Sequence, residues 1–205
     1  MKKVLKSSLL VLFLTSVFTV NAQKYAIEGG YVNTVRYGSS ASSTYFKGGQ
    51  LGVTANFDLK NNFSLLTGAL YAFVYSDKLQ KYTSPDSVNY KTMGHFLNIP
   101  LRLRYSLPIN KNLKVFGYVG PNISIGLSQT QKVASTFAGV TSGNYDLYKD
   151  ALLNRLNFQL GAGGGVQWKN YQLKSGYDWG VNNLNKKSTG NFYQKGWYVS
   201  FAYEF

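Results

Sequence analysis

The sequence predicts an all-β fold, an eight-stranded antiparallel up-and-down transmembrane β-barrel with its N and C termini on the periplasmic rim. Three observations carry this reading. Apolar and polar residues alternate over runs longer than soluble strands usually reach. Tight turns and long polar connections alternate between those runs. An export leader precedes the first run.

The leader comes first in the chain. Met1, Lys2, Lys3 and Lys6 open a basic stretch, and Leu9–Val20 is apolar apart from Thr15, Ser16 and Thr19. Val20-Asn21-Ala22 then places small residues where a signal peptidase cuts. Residues 1–22 are therefore expected to be a Sec signal peptide, and residues 23–205 one barrel domain. The apolar stretch is too short for the ~20 residues of a spanning helix. A membrane location would have to rest on strands.

The clearest alternation spans residues 95–128. Leu97, Ile99, Leu101, Leu103, Tyr105 and Leu107 share one parity; Asn98, Pro100, Arg102, Arg104 and Ser106 share the other. After Pro108–Asn112 it resumes with Leu113, Val115, Val119, Ile123, Ile125 and Leu127 against Lys114, Phe116, Tyr118, Asn122 and Ser124. Successive strand side chains point to opposite faces, so this is a hairpin of two long strands. Each run meets the roughly 10 residues that a tilted strand needs to cross a hydrocarbon core.

The remaining runs repeat the pattern. The first is Tyr25–Tyr31 with Glu28 on the polar face, and the second is Leu51–Phe57. The third is Phe63–Tyr75, whose even-numbered face is mixed. The sixth and seventh are Phe158–Trp168 and Tyr171–Val181, the latter with Lys174 and Asp178 on its polar face. The eighth is Trp197–Phe205 with Glu204. Short links at 58–62, 108–112 and 169–170 alternate with long ones at 36–47, 77–92, 129–154 and 185–195. Short periplasmic turns opposite long extracellular loops are the pattern of outer-membrane barrels. Tyr25, Tyr31, Phe57, Phe63, Tyr75, Tyr105, Trp168, Tyr171, Trp179 and Trp197 fall near strand ends, as expected of rings seated at lipid headgroups.

Composition agrees. Aromatic residues make up 16% of the chain and charged residues only 15%, low for a soluble surface. There is no cysteine and a single histidine, so thiolate and multi-histidine metal sites are excluded, and no cofactor is expected. The net charge is +14, falling to +11 once Lys2, Lys3 and Lys6 leave with the leader.

Asn98-Ile99-Pro100-Leu101-Arg102-Leu103-Arg104-Tyr105, followed by Val119-Gly120-Pro121-Asn122, resembles the PorT-like outer-membrane β-barrel family. Asn21-Ala22-Gln23 at the end of the leader is also common there. The resemblance covers residues 24–205 and implies a small barrel. It also implies a link to a protein-secretion complex, although the motif residues select no activity. The chain end resembles a barrel-assembly signal, with Tyr203 and Phe205 in the aromatic slots and Ser200 where glycine is usual. The barrel-assembly machinery is therefore an expected partner during insertion.

The predicted lumen holds Glu28, Arg102, Arg104, Lys114, Lys174, Asp178 and Glu204. Glu28 and Glu204 sit on the two strands that close the ring, where paired carboxylates could serve acid–base chemistry. An eight-stranded tube has room for little beyond its own side chains, so these charges are expected to form a structural salt-bridged plug. Gly161-x-Gly163-Gly164-Gly165 lacks the lysine and helix of a phosphate loop and reads as strand glycine that lets inward neighbours pack. His95 is expected at the outer end of the fourth strand as a solvated rim residue, without the geometry of a catalytic triad. Pro100 and Pro121 are expected to mark bulges or bends.

The long connections carry Arg36, Lys47, Lys78, Lys81, Lys91, Lys132, Lys149, Arg155, Lys186, Lys187 and Lys195 against Asp77, Asp86, Asp146 and Asp150, a balance of +7. Outer-membrane lipid and lipopolysaccharide phosphates are the expected partners of such a rim; nucleic acid is not. The expectation is a non-enzymatic, monomeric outer-membrane barrel acting structurally or by binding through its loops, including to an extracellular partner. Its rivals are a secretion-complex component, a soluble lipocalin-like carrier with the apolar parity turned inward, a lipid-modifying enzyme using His95, and an ion channel.

Overall fold

A computed structural model describes residues 23–38, 43–81, 87–136, 140–150, 152–186 and 190–205. The expected leader, residues 1–22, lies outside them, as do Asp86 and Lys187. The strands are β1 (Gln23–Gly38), β2 (Thr44–Asp58), β3 (Phe63–Lys81), β4 (Ser87–Pro108), β5 (Leu113–Ser135), β6 (Gly143–Asp146), β7 (Leu156–Trp168), β8 (Tyr171–Gly180) and β9 (Phe192–Glu204). Eight of them pair antiparallel in the order β4-β3-β2-β1-β9-β8-β7-β5, and a β4–β5 ladder closes the ring. The short β6 is additional. It pairs with Thr130–Val133 of β5, beyond the point where β7 leaves that strand at Ile125.

The apolar parity faces outward and the polar parity inward. Ile27, Leu103 and Phe201 are 54%, 45% and 54% exposed, whereas Glu28, Arg102 and Lys174 are 1%, 2% and 4% exposed. A soluble carrier needs the reverse, so the lipocalin-like alternative fails here. On β3 the mixed even-numbered face points inward and supplies Leu66, Leu70, Ala72 and Val74 to the lumen. Two aromatic belts edge the outward face. Near the turn rim, Phe63 meets Tyr105 at 4.8 Å and Tyr171 meets Tyr203 at 5.2 Å. Towards the other rim, Tyr31 meets Trp197 at 5.5 Å and Tyr177 meets Trp179 at 4.8 Å. Phe57 departs from the pattern, being buried at 8% exposure.

Both described ends of the chain lie on the rim of tight turns. Gln23 pairs with Phe57, and the Phe205 amide donates to the Tyr25 carbonyl at 2.9 Å. The turns are closed by Leu59 N–H to Phe63 O (2.8 Å) and Ile109 N–H to Leu113 O (2.9 Å). Asn61 and Asn62 take positive φ (58° and 66°), a conformation asparagine tolerates better than most residues.

On the opposite rim two of the four expected long loops are largely strand. The β3–β4 ladder continues to Lys81↔Ser87, so most of 77–92 is hairpin, and most of 36–47 is likewise β1 and β2. Arg36, Lys47, Lys78, Lys81, Lys91, Lys132 and Lys195 accordingly stand on strands, not loops. Beyond the apolar band the outward face carries charged residues such as Asp77, Lys81 and Lys91 while inward residues such as Val88 and Thr92 stay buried, so the apolar alternation fades while ladder hydrogen bonding persists. The prolines interrupt ladders without shifting register, β3–β4 pairing skipping Ile99 and Pro100 and β4–β5 pairing skipping Gly120 and Pro121, and the bulge is elsewhere. It lies between His95 and Phe96, which pair with Ser128 and Gly126 and leave Leu127 as the extra residue. That insertion reverses parity along β5, turning Gln129 inward where it is fully buried.

Candidate functional site: a layered lumen beneath a capped mouth

The inward side chains form layers along the barrel axis. At the turn rim a polar vestibule of about 290 Å³ is lined by residues including Lys24, Asn56, Asp58, Arg104, Lys114 and Glu204. Lys24 and Asp58 pair at 2.9 Å but are both well exposed, so the pair contributes little stability. Lys114 is half-buried in the vestibule wall and has no ion pair among the described residues.

Two glutamines join Arg104 to Glu204 above the vestibule. Arg104 donates to Gln167 Oε1 at 2.7 Å and Gln172 Oε1 at 3.3 Å. The same amides donate from Nε2 to Glu204 at 3.0 and 2.8 Å, and Asn56 Nδ2 adds a third bond at 3.3 Å. An amide both accepts and donates, so each glutamine relays between cation and anion. The Arg104 guanidinium also lies 3.7 Å from the Phe116 ring centroid.

The next layer holds two direct ion pairs. Lys174 Nζ lies 2.6 Å from Glu28 Oε2. Arg102 pairs with Asp178 and donates to the Gly120 carbonyl. Tyr118 donates to Ser175 O at 2.9 Å, which leaves its oxygen to accept from Tyr198, also at 2.9 Å. Glu28 and Glu204 occupy neighbouring strands yet belong to separate networks: Glu28 is opposite Ala202, and Glu204 opposite Ala26. Inward glycines make room for this layer; a Cβ on Gly165 would come within 2.8 Å of Phe116 Cζ. The glycine run is uninterrupted β7, with no helix to frame a phosphate.

Farther out, Gln50 donates to Ser200 Oγ at 2.9 Å and Asn122 to Gln159 at 2.7 Å. Val32, Phe46, Ala72, Val74 and Phe96 then fill the lumen with apolar volume. Above them Arg36, over the Phe46 ring at 5.2 Å, donates to Gln129 at 3.1 Å and Gln194 at 3.3 Å. Cavities described between these layers measure about 40 and 50 Å³, room for a few waters at most.

A cap covers the end opposite the tight turns. Leu147, Tyr148, Leu153 and Leu184 form a second apolar cluster joined by Tyr145, Leu152 and Phe192. Leu147 N–H donates to Gln129 O at 2.9 Å, and Asn154 N–H to Leu184 O at 2.8 Å. Arg155 donates to the carbonyls of Gly126 and Leu127 at 3.1 and 2.9 Å while lying 4.8 Å from the Tyr148 ring centroid. Asp146 accepts from the Lys149 and Tyr148 amides, each at 3.1 Å. The Lys149 amide is the main reason its carboxyl sits below the usual aspartate range; partial burial opposes it and the Tyr148 amide reinforces it.

His95 lies well inside β4 on the outward face, not at the strand's outer end as expected, because β4 continues to Ser87, and it is not merely solvated. Its Nδ1 is 2.5 Å from the Tyr71 hydroxyl, and its ring is 5.2 Å from Phe73. Ser128 is its ladder partner, but no hydrogen bond joins the two among the described residues, and no acid completes a triad. No group of three or more His, Asp or Glu gathers as a metal site among those residues. Of the charges expected in the lumen, the structure therefore pairs four directly, bridges Arg104 to Glu204 and leaves Lys114 at the vestibule. Of the expected assembly residues, Ser200 is buried beneath Gln50, while Tyr203 and Phe205 project outward. Sequence alternation does not reveal the Arg36–Gln129–Gln194 knot, because Gln129 turns inward only through the bulge.

No curated protein matches the chain. Among solved structures, Neisserial surface protein A is 13% identical, with 88% of this chain and 97% of that one covered at a TM-score of 0.48. Ail, the attachment invasion locus protein of Yersinia pestis, crystallised with the heparin analogue sucrose octasulfate, is 14% identical. It covers 89% of this chain and 99% of its own at a TM-score of 0.42. The outer membrane enzyme PagL is 14% identical over 89% and 99% of the two chains, at a TM-score of 0.40. Residues 18–186 match the outer membrane protein beta-barrel domain family, and the chain belongs to that family.

Proposed function

We propose that this chain is a non-enzymatic, monomeric outer-membrane barrel whose lumen is a structural stopper and whose outer extension is its binding surface. The termini and tight turns then face the periplasm. The observation that carries this reading is the stack of filled layers from Glu204 to the Tyr148 cap, whose intervening cavities of about 40 and 50 Å³ among the described residues are too small for a substrate path. Among the described residues the outer end carries ten of the named cations against Asp77, Asp146 and Asp150, again +7, which favours anionic partners. His95 is hydrogen-bonded to Tyr71 and no acid joins it among the described residues, so this reading gives it no hydrolytic role.

Planar-bilayer recording tests the stopper. The reading expects no discrete conductance steps from the purified barrel. Stable single-channel openings would refute it.

A secretion-complex role is the second reading; it comes from the PorT-like resemblance alone, whose motif residues select no activity. Pro100 and Asn122 of that motif are ladder partners and both are buried within the barrel wall, so they support a shared wall more than a shared partner. Retention of a stoichiometric partner through mild-detergent purification would favour this second reading over the first.

A further inference from the structure

The outward face of the extension carries an uncompensated charge arrangement. Lys91 on β4 and Lys132 on β5 are direct register partners, both exposed. Like charges directly opposite one another destabilise a sheet. The acid beside them does not cancel the pair: Asp77 is 3.9 Å from Lys91 and also accepts from the Tyr75 hydroxyl at 3.1 Å. On its other side Lys132 faces neutral Asn144. Asp146 on β6 is engaged by the Tyr148 and Lys149 amides and lies 3.8 Å from the Lys149 ammonium. Lys47, the ladder partner of Tyr75, adds a third exposed cation on the same face. Lys47, Lys91 and Lys132 against Asp77 leave a local charge of +2.

The position of this patch selects its ligand. Below it on the same face lies Met93, then the His95–Tyr71–Phe73 group, then Leu101 and Leu103. Lys91 is two residues beyond Met93, about 7 Å along the strand. From the middle of the barrel outward, the wall therefore reads apolar, aromatic and cationic, the order in which a lipid presents chains, backbone and phosphate. The lysines project sideways from the wall at this level. The geometry points to a binding site for a phosphorylated lipid headgroup of the outer leaflet, with Lys91 and Lys132 sharing the phosphate and Lys47 flanking it. The site rests on the proposed outer-membrane reading and names the partner of that binding surface.

The test uses the full mature barrel in phosphatidylcholine nanodiscs, titrated with diphosphoryl lipid A and followed by native mass spectrometry. Inorganic phosphate serves as the free-ion arm. Wild-type protein is expected to retain lipid A at a defined stoichiometry. Lys91→Gln and Lys132→Gln should each weaken it about fivefold, while Lys60→Gln, on the turn rim, should not. Equal affinity in wild type and both variants would overturn the site. Inorganic phosphate displacing lipid A at comparable concentration would overturn the lipid as its source. An unheated-versus-boiled gel shift accompanies every sample. Its absence in wild type would refute the barrel reading, whereas its presence with unaltered lipid A binding would refute the site alone.

Discussion

Replacing Lys174 with methionine probes the lumen directly. Its ammonium lies 2.6 Å from Glu28, and the two side chains are 4% and 1% exposed. The next cation in the layer, Arg102, is held by Asp178 and the Gly120 carbonyl. Lys174→Met therefore strands a buried carboxylate. Breaking one side of such a pair costs about 3–5 kcal/mol. Replacing both members, Glu28→Leu with Lys174→Met, removes the desolvation cost together with the attraction, so the double variant should return close to wild type or exceed it by about 1–4 kcal/mol. Urea unfolding in lipid vesicles measures this. Trp168, Trp179 and Trp197 all face outward and report loss of the lipid environment. A Lys174→Met variant within about 1 kcal/mol of wild type would refute the reasoning, because Glu28 would then be solvated rather than sealed in a layer.

Other outcomes follow from the cap and the chain end. A Cβ at Gly126 would come within 2.8 Å of Tyr148 Cε2 and nearer still to its hydroxyl, so Gly126→Ala should expel Tyr148 and speed protease cleavage within 140–155; an unchanged cleavage rate would count against the cap. The Asp146 carboxyl is held low by the Lys149 amide, so its folded-state pKa lies below its unfolded one. Its contribution is therefore present above the ordinary aspartate value of 3.8 and lost as pH falls through the lower folded value. Amide-exchange protection at Tyr148 and Lys149 should persist down to that value, and Asp146→Ala should remove it at all pH values. Deleting Phe205, which is 65% exposed beside the β1–β9 seam, should lower the yield of membrane-inserted, heat-modifiable protein without affecting export.

The eight ring strands were legible because lipid on one side and lumen on the other impose opposite demands on alternate residues. Where lipid ends, that demand ends. Residues 77–81 and 87–92 carry Lys78, Lys81 and Lys91 yet remain in the β3–β4 ladder, because backbone pairing does not need an apolar face. The bulge at Leu127 was illegible for a related reason. Leu127 continues the outward apolar series, and only the pairing of His95 with Ser128 shows that the parity has turned. Within the lumen, sequence parity identified the charged side chains but not their partners. Gln167 and Gln172 read as ordinary polar-face residues, and only the closed ring places them between Arg104 and Glu204. Tyr118 and Tyr198 share the inward parity, which is the signal that could have paired them across the lumen.

The most direct test of the account is the alternation itself. The chain contains no cysteine, so single cysteines carrying an environment-sensitive fluorophore can be introduced at will. Labels at Ile99, Leu101, Leu103 and Leu107 should be quenched by brominated lipid, and labels at Asn98, Ser106 and Ser64 should not. Quenching without that two-residue period, or stronger at the inward positions, would contradict a barrel whose apolar face meets the membrane.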